Sequence, residues 1–236
     1  MMYKSLIPNM LTSSNLVFGM CSIISTMHEN FTMGAIFILI ALIADGLDGR
    51  AARFFGVSGE LGKEMDSLCD LISFGAAPAL LAHSIYLNEF GYFGWFVAIA
   101  FTLCGAWRLA RFNVNANAIH GYFMGLAIPS GGCLIATFTL LSQSLQLDYR
   151  TFGLIYPIAI LVIAYLMVSK VRYPDFKGKG EKVYTVSVVV AILMFLGILF
   201  VGRDSVLCAV LFAVFSTYAV FGILNTIVSV FTTNVK

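Results

Sequence analysis

Eight apolar stretches, each about 20 residues long, account for most of this 236-residue chain. They cover residues 10–28, 32–55, 65–87, 91–110, 123–144, 152–169, 183–201 and 205–229. A helix of about 20 apolar residues crosses the hydrocarbon core of a bilayer. Only 11% of the residues are charged, whereas a soluble domain carries about 25%. The sequence therefore predicts an all-α fold, a polytopic transmembrane bundle of about eight helices, and not a soluble globular domain.

The basic residues are distributed unevenly over the two sides of such a bundle. If the chain starts in the cytoplasm and alternates eight times, twelve of its fourteen Lys and Arg residues fall on the cytoplasmic side. The outer side keeps only Arg150 and Arg203. Cytoplasmic loops of membrane proteins carry such an excess of positive charge. We therefore expect both termini in the cytoplasm.

Half of the twelve acidic residues lie between positions 45 and 70. Asp45 and Asp48 are three positions apart and Asp66 and Asp70 are four apart, so each pair lies on one face of its helix. An aspartate inside an apolar helix costs about 3 kcal/mol or more and implies a cation or a function. The charge asymmetry puts this cluster near the cytoplasmic ends of the second and third helices, in a polar cavity.

Two aspartate pairs beside the turn that joins their helices can converge on one site. All-carboxylate ligation selects hard divalent cations, which are Mg²⁺, Mn²⁺ or Ca²⁺. Four carboxylates exceed the charge of one such ion, which predicts two ions, and paired ions suit displacement at phosphorus. Gly49, Ala52 and Gly62 would let a nucleotide approach the backbone, and Arg53, one turn after Gly49, is placed to bind a phosphate.

With its spacing, the cluster reads Asp45-x2-Asp48-Gly49-x2-Ala52-Arg53-x8-Gly62-x3-Asp66-x3-Asp70. At all eight positions this pattern resembles the signature of the CDP-alcohol phosphatidyltransferase family, integral membrane enzymes of phospholipid synthesis. The resemblance implies that the first three aspartates bind metal on the pyrophosphate of a CDP-linked lipid. It implies that Asp70 is the general base and also a metal ligand. It also implies five contacts to the nucleotide, which are Gly49, Ala52, Arg53, Gly62 and Asp66.

The pattern does not specify the acceptor, because family members use serine, inositol phosphate, glycerol phosphate, choline or ethanolamine. Four other segments resemble the branch that uses L-serine and CDP-diacylglycerol: Pro8-Asn9-x2-Thr12-x2-Asn15, Arg108-x2-Arg111-Phe-Asn113, Phe123-x-Gly125-Leu126-x-Ile-Pro129 and Ser169-Lys170-Val-Arg172-Tyr173-Pro174. In the third, Ala127 stands where a proline is common. The resemblance covers roughly residues 5–180. We expect one catalytic membrane domain over 1–236, in which 183–229 adds two helices.

Six residues outside the acidic pattern are candidates for binding the acceptor or a lipid phosphate: Asn9, Thr12, Arg108, Arg111, Lys170 and Arg172. The two arginines of the fourth helix form a pair that binds a carboxylate, which serine offers, or a phosphate, which other acceptors offer. All four basic residues can instead be anchors at the cytoplasmic surface. The two polar residues can instead cap the first helix.

Two alternative functions fit parts of this pattern. The same transfer to inositol phosphate or glycerol phosphate, or from an ether-lipid donor, would need the same four aspartates. A cation transporter is the other class, but transporter sites lie near the bilayer midplane in repeated halves, and this sequence shows no repeat. We expect an integral protein of the cell membrane whose active site faces the cytoplasm. A homodimer is expected from the family resemblance, and no nucleic-acid partner is expected.

Overall fold

The computed structural model describes residues 2–56, 59–115, 122–174 and 184–233. These residues are mostly helical. The α-helices are α1 (Met2–Met27), α2 (Phe31–Phe55), α3 (Glu60–Asp70), α4 (Ala77–Ile85), α5 (Tyr92–Asn115), α6 (Ile128–Ser144), α7 (Ile155–Val168), α8 (Thr185–Val201) and α9 (Val206–Thr233). A π-helical segment (Leu71–Ala76) joins α3 to α4, and 3-10 turns lie at Leu87–Phe90, Tyr149–Phe152 and Arg203–Ser205.

A short antiparallel ladder is an addition to the predicted helical class, which is otherwise confirmed. Strands β1 (Tyr122–Met124) and β2 (Arg172–Pro174) pair so that Phe123 lies opposite Tyr173. The fifth apolar stretch was expected to begin at residue 123, but α6 begins five residues later. Gly125 has a φ of 76°, and its N–H donates to the carbonyl oxygen of Val171 at 2.8 Å. This left-handed conformation keeps the chain out of the α-helix before α6.

Five helical stretches in the described part of the chain are long and apolar enough to cross a membrane. They are Pro8–Met27, Phe31–Phe55, Glu60–Ile85, Tyr92–Val114 and Arg203–Ser229. The other three predicted spans contain shorter helices, because α6 and α8 have 17 residues each and α7 has 14. The count of eight spans and the cytoplasmic location of the termini stay predictions.

Helix α2 carries the first half of the acidic pattern, and its two ends are fixed by caps. At its start, the side chain of Asn30 accepts a hydrogen bond from the N–H of Met33 at 3.2 Å. At its end, Gly56 has a φ of 65° and donates its N–H to the carbonyl oxygens of Ala52 and Arg53. Glycine is the residue that adopts this conformation at least cost. Helix α2 therefore ends at Phe55, two residues after Arg53, and the chain can return in α3.

The π-helical segment begins directly after Asp70 and is packed at the centre of the bundle. Its residues Ser73, Phe74 and Gly75 are buried. Helix α6 approaches it so closely that a Cβ atom on Gly132 would lie 2.7 Å from the carbonyl oxygen of Phe74. Small residues at helix interfaces permit such close backbone approach. The packing of α6 therefore fixes the end of α3, where Asp70 lies.

The last two helices are attached to the rest of the molecule through α9. Helix α8 packs on α9, and α9 packs against α6. Tyr173 of β2 is fully buried, and its hydroxyl donates to the carbonyl oxygen of Ala219 at 3.1 Å. Its ring lies against that of Tyr218, with 5.1 Å between the centroids. The ladder is therefore an anchor for α9.

Arg111 near the end of α5 binds the backbone where α7 ends. Its guanidinium donates to four carbonyl oxygens at 2.7–3.2 Å, those of Met124, Met167, Val168 and Ser169. The last carbonyls of a helix have no partner within that helix, so this contact satisfies groups that would otherwise lack a donor. Arg111 thereby joins α5, the end of β1 and the end of α7.

Replacing Arg111 by glutamine should lower the thermal stability of the protein. The variant loses hydrogen bonds from a charged group to several carbonyl oxygens, and we expect a fall in apparent Tm of roughly 5–10 °C. The matched control is Arg203→Gln, because Arg203 is an exposed arginine in the 3-10 turn between α8 and α9. The apparent Tm is measured on the purified protein in detergent. Equal Tm values for the two variants would contradict a structural role of Arg111.

Candidate active site

The four aspartates of the pattern converge near the turn that joins α2 to α3, two helices that both pack against α1. One carboxylate oxygen from each of Asp45, Asp48 and Asp66 lies within 4.8 Å of the others. Asp70 lies close enough to Asp45 for the two carboxyl groups to interact electrostatically. Asp48 and Asp70 are buried, whereas the other two are partly exposed. The sequence prediction that both pairs form one site is therefore met by the geometry.

No aspartate of this cluster forms a salt bridge within the part of the chain that the structure describes. The salt bridge found there joins Arg150 to Glu89, and neither belongs to the cluster. At an effective dielectric constant of about 20, two carboxylates less than 5 Å apart repel each other by about 3 kcal/mol or more. Buried oxygens of Asp48 and Asp66 also have no hydrogen-bond partner among the described residues. A divalent cation fits these observations, because oxygen ligands with net negative charge are the set that Mg²⁺ and Ca²⁺ prefer.

A cleft of about 180 Å³ opens beside two of the aspartates. Its walls come from the start of α1, the end of α2 and the start of α3. The lining residues are Pro8, Asn9, Thr12, Asp48, Gly49, Ala52, Gly59, Gly62, Lys63 and Asp66. The set contains four of the five residues predicted to contact the nucleotide, and also Asn9 and Thr12. The sequence assigned those two to the acceptor or a lipid phosphate, but the cleft places them beside the predicted nucleotide contacts.

The two glycines of the pattern leave space in this cleft that the protein does not fill. A Cβ atom on Gly49 would meet only the Arg53 guanidinium, at 3.9 Å, and one on Gly62 would meet only the side-chain oxygen of Asn9, also at 3.9 Å. Helix packing therefore does not require glycine at either position. Arg53, the fifth predicted contact, is exposed, and its guanidinium reaches back toward Gly49 at the edge of the cleft.

Helix α1 contributes a residue to the site whose role the sequence did not assign. The side-chain Nδ2 of Asn15 donates to Oδ1 of Asp70 at 2.9 Å, and Asn15 is fully buried. A signal was present in the sequence, because Asn9, Thr12 and Asn15 recur every three residues in an otherwise apolar helix. That spacing indicates one polar face, but it does not identify Asp70, 55 positions away, as the partner.

Arg108 of α5 is a buried cation that interacts with the acidic cluster. It is only 8% exposed, its guanidinium lies 5.4 Å from the ring centroid of Phe112, and its charge acts on Asp70. Its Nε has no hydrogen-bond partner among the described residues. Buried charges are normally paired, so this arginine has capacity for an anion beside Asp70.

The other predicted acceptor-binding residues lie in different surroundings. The guanidinium of Arg111 is engaged by the carbonyl oxygens described above, so the two arginines of α5 do not present one common face to an anion. Lys170 is exposed between α7 and β2. Arg172 is exposed in β2, where its backbone N–H donates to the hydroxyl of Thr226 at 3.1 Å. Acceptor binding by these three residues stays a prediction.

A polar network at the start of α3 was also not predicted. The Lys63 ammonium donates to the carbonyl oxygen of Asn113 at 3.0 Å. The side-chain amide of Asn113 donates to the hydroxyl of Ser67 at 2.9 Å and to a carboxylate oxygen of Glu64 at 3.2 Å. The network joins the end of α5 to α3 and holds Lys63 at the wall of the cleft.

Comparison with known proteins shows a family match over most of the chain. The CDP-alcohol phosphatidyltransferase family model matches residues 5–167. The chain is 36% identical to the CDP-diacylglycerol–serine O-phosphatidyltransferase of Helicobacter pylori over 197 aligned residues. The alignment covers 83% of this chain and 82% of that protein. It is 33% identical over 171 residues to the Bacillus subtilis protein of the same name, covering 72% and 91%. It is 34% identical over 177 residues to the archaetidylserine synthase of Methanothermobacter thermautotrophicus, covering 74% and 72%. The resemblance of the acidic pattern is confirmed.

Replacing Gly49 by leucine should remove nucleotide binding without unfolding the protein. The added side chain would enter the cleft, where it meets open space and not packed protein. We expect at least a tenfold loss of CMP affinity, measured by calorimetry, and an unchanged apparent Tm, since about 1.4 kcal/mol of lost binding free energy is enough for that change.

Gly46 provides the matched control for this variant. It lies one turn earlier on α2, it does not line the cleft, and a Cβ atom there meets nothing within 4 Å. Gly46→Leu should therefore bind CMP normally. Equal CMP affinities for the two leucine variants would show that the cleft is not the nucleotide site.

Proposed function

Because the chain belongs to the CDP-alcohol phosphatidyltransferase family, we propose that it transfers a phosphatidyl group from CDP-diacylglycerol to the hydroxyl group of L-serine and releases CMP. The observation that carries this proposal is the arrangement of four aspartates beside a cleft lined by small residues. Two relatives that carry the name CDP-diacylglycerol–serine O-phosphatidyltransferase support the choice of donor and acceptor.

The acidic cluster is the proposed metal site. Asp45, Asp48 and Asp66 offer three oxygens that converge, and Asp70 adds a fourth carboxylate at the side of Asp45. We propose two ions, Mg²⁺ or Mn²⁺, because four carboxylates carry more charge than one divalent ion neutralises. Such ions supply neutralisation of the charge on the diphosphate and on the departing CMP.

The residues of the cleft hold the donor. The diphosphate is proposed to lie between the cluster and the guanidinium of Arg53, which can donate two parallel hydrogen bonds to a phosphate. The nucleotide is proposed to lie over Gly49 and Gly62, where no side chain obstructs it. The Lys63 ammonium at the cleft wall adds a second positive charge for the anionic donor.

Asp70 is the proposed general base. It would accept the proton of the acceptor hydroxyl as the hydroxyl oxygen attacks the phosphorus that carries diacylglycerol. One P–O bond forms, the P–O bond to CMP breaks, and CMP leaves with that electron pair. A base must lie within hydrogen-bonding reach of the proton that it removes. The buried position of Asp70 behind the cluster supports this assignment, because a small alcohol held there would face the donor phosphorus.

Arg108 is the proposed contact for the acceptor carboxylate. It is buried, its Nε lacks a partner among the described residues, and its charge acts on Asp70. Serine carries its carboxylate two bonds from the carbon that bears the hydroxyl, so one end can bind Arg108 while the other reaches Asp70. We assign Arg111 to the backbone contacts described above, and Asn9 and Thr12 to the donor cleft.

The proposed active site faces the cytoplasm. The turn between α2 and α3 is flanked by Arg50, Arg53 and Lys63, and positive charge concentrates at cytoplasmic membrane ends. This orientation belongs to the eight-span arrangement. It is tested by labelling a single cysteine at position 59 with a membrane-impermeant reagent. Only reagent added on the cytoplasmic side should modify that residue. A single catalytic domain and a homodimer complete the proposal.

A second candidate differs in the donor alone. A relative with the name archaetidylserine synthase is as similar to this chain as the bacterial ones. Transfer of an archaetidyl group to serine would use the same four aspartates and the same Arg108. The two candidates are separated by supplying the two CDP-linked lipids to one enzyme preparation.

One assay tests the proposed function as a whole. The purified full chain in detergent receives CDP-diacylglycerol, Mg²⁺ or Mn²⁺, and one alcohol from a panel of serine, inositol phosphate, glycerol phosphate, ethanolamine and choline. CMP release and the lipid product are measured. Serine should give CMP and phosphatidylserine, and chelation with EDTA should stop both. CMP release with inositol phosphate but not serine would overturn the acceptor, and no CMP with any alcohol, as expected of a transporter, would overturn the enzyme.

Asp70→Asn should abolish turnover and largely preserve nucleotide binding. The amide cannot accept the hydroxyl proton, and loss of a general base lowers kcat by about 10²–10⁴-fold. The kcat comes from CMP release and the CMP affinity from calorimetry. Asp204→Asn is the control, because Asp204 is an exposed aspartate distant from the cluster in sequence. Near-normal turnover of Asp70→Asn would mean that another group is the base.

Arg108→Gln should weaken serine binding more than donor binding. Loss of a charge-assisted hydrogen bond to a carboxylate corresponds to about a tenfold or larger increase in the serine KM. The KM for CDP-diacylglycerol should change little, and Arg203→Gln serves as the charge-matched control. Equal increases in both KM values would indicate that Arg108 supports the fold and does not select the acceptor.

A further inference from the structure

Asn15 of α1 contacts Asp70 and lies one helical turn after Thr12, which lines the cleft. Its side-chain Nδ2 donates to Oδ1 of Asp70 at 2.9 Å, and none of its surface is exposed. We propose that Asn15 is a positioning residue, which fixes the orientation of the Asp70 carboxylate for catalysis. This inference rests on the proposed function, in which Asp70 is the general base.

The chemistry of the amide determines how Asn15 must be oriented. An asparagine side chain has one donor end and one acceptor end, and only the nitrogen can donate to a carboxylate oxygen. Oδ1 of Asn15 is then directed away from this bond, and it is buried without a partner among the described residues. A buried unsatisfied acceptor costs about 1–3 kcal/mol. An apolar residue at position 15 could fill the same space without this unfavourable free energy. The hydrogen bond to Asp70 therefore explains why an amide occupies the position.

The backbone of Asn15 is held by the segment that follows Asp70. The hydroxyl of Ser73 donates to the carbonyl oxygen of Asn15 at 2.9 Å, and Ser73 is fully buried in the π-helical segment. On α1, Gly19 provides the space for Ser73, because a Cβ atom there would overlap the serine side chain. Asp70 and Ser73 therefore bind one residue of α1 at two points, through its side chain and its backbone.

This double contact restricts the carboxylate in a way that the rest of the site does not. The terminal torsion of an aspartate is broad, and the neighbouring carboxylates of Asp45 and Asp66 repel that of Asp70. Without the Asn15 donor, that repulsion would turn the carboxylate away from the acceptor. With it, the position of Oδ1 is fixed, and this fixes the orientation of the carboxylate. Misplacement of a reacting group by about 1 Å can cost 10²-fold in rate.

Asn15→Leu and Asn15→Asp test this role. Leucine removes the donor at similar size, and aspartate removes it at nearly identical shape, so the second variant remains informative if the first does not fold. Both should lower kcat for CMP release by about 100-fold, whereas the CMP affinity and the KM for CDP-diacylglycerol change little. Ser22→Ala is the matched control, because Ser22 is also fully buried on α1 and its hydroxyl also lacks a partner among the described residues.

A double-variant cycle separates positioning from general support of the fold. If Asn15 acts through Asp70, then Asn15→Leu should have little further effect on kcat in an Asp70→Glu background, where the base is already displaced. Three results would overturn the inference. The kcat losses of the two single variants could multiply in the double variant, the CMP affinity of Asn15→Leu could fall in parallel with its kcat, or the kcat of Asn15→Leu could be unchanged. If Asp70→Asn retains turnover, the base assignment fails. If Asp70→Asn is inactive while Asn15→Leu is fully active, only the role of Asn15 fails.

Discussion

Repulsion among carboxylates held within 4.8 Å of one another is the constraint on which this site depends. The acids cannot gather by their own attraction, so apolar packing and helix caps must hold them together. Gly56 ends α2 where α3 can begin, and the close approach of Gly132 to Phe74 fixes the end of α3. In a cluster held in this way, a bound cation would relieve the repulsion between the carboxylates. The protein would then bind the cation with ligands that are already in position, which is preorganisation.

The three helices around the cluster have different tasks. Helices α2 and α3 supply the carboxylates and the small residues between them. Helix α1 supplies the hydrogen bond from Asn15 to Asp70 and the cleft-lining side chains of Asn9 and Thr12. Helix α5 adds the buried cation Arg108 and keeps α3 in place through Asn113. The proposed donor and acceptor therefore approach the cluster from different elements, which lets the acceptor contacts vary while the metal ligands stay fixed.

The sequence predicted the parts of the site that depend on local spacing. Asp45 and Asp48 share a helix face, and the connection from α2 to α3 is short. The sequence therefore predicted that the four acids and Gly62 lie close together. Contacts between distant elements were not predictable in this way. Arg108 and Arg111 are three positions apart, yet one lies near Asp70 and the other binds the end of α7. That division depends on how α5 is rotated against its neighbours, which no local pattern contains. The β1–β2 ladder was missed because each strand has only three residues and their pairing joins segments that are about 50 positions apart.

The position of the site early in the chain has a consequence for biogenesis. Every residue that lines the donor cleft falls between positions 8 and 66, so the first three helices contain that half of the site. Membrane helices enter the bilayer in the order of synthesis, and chains generally fold from the N-terminus as they are made. The cluster is therefore complete in sequence before α5 has been translated, and a nascent chain already carries the carboxylates proposed to bind the cations. Arg108 is translated later, so the proposed metal ligands are present before the proposed contact for the acceptor.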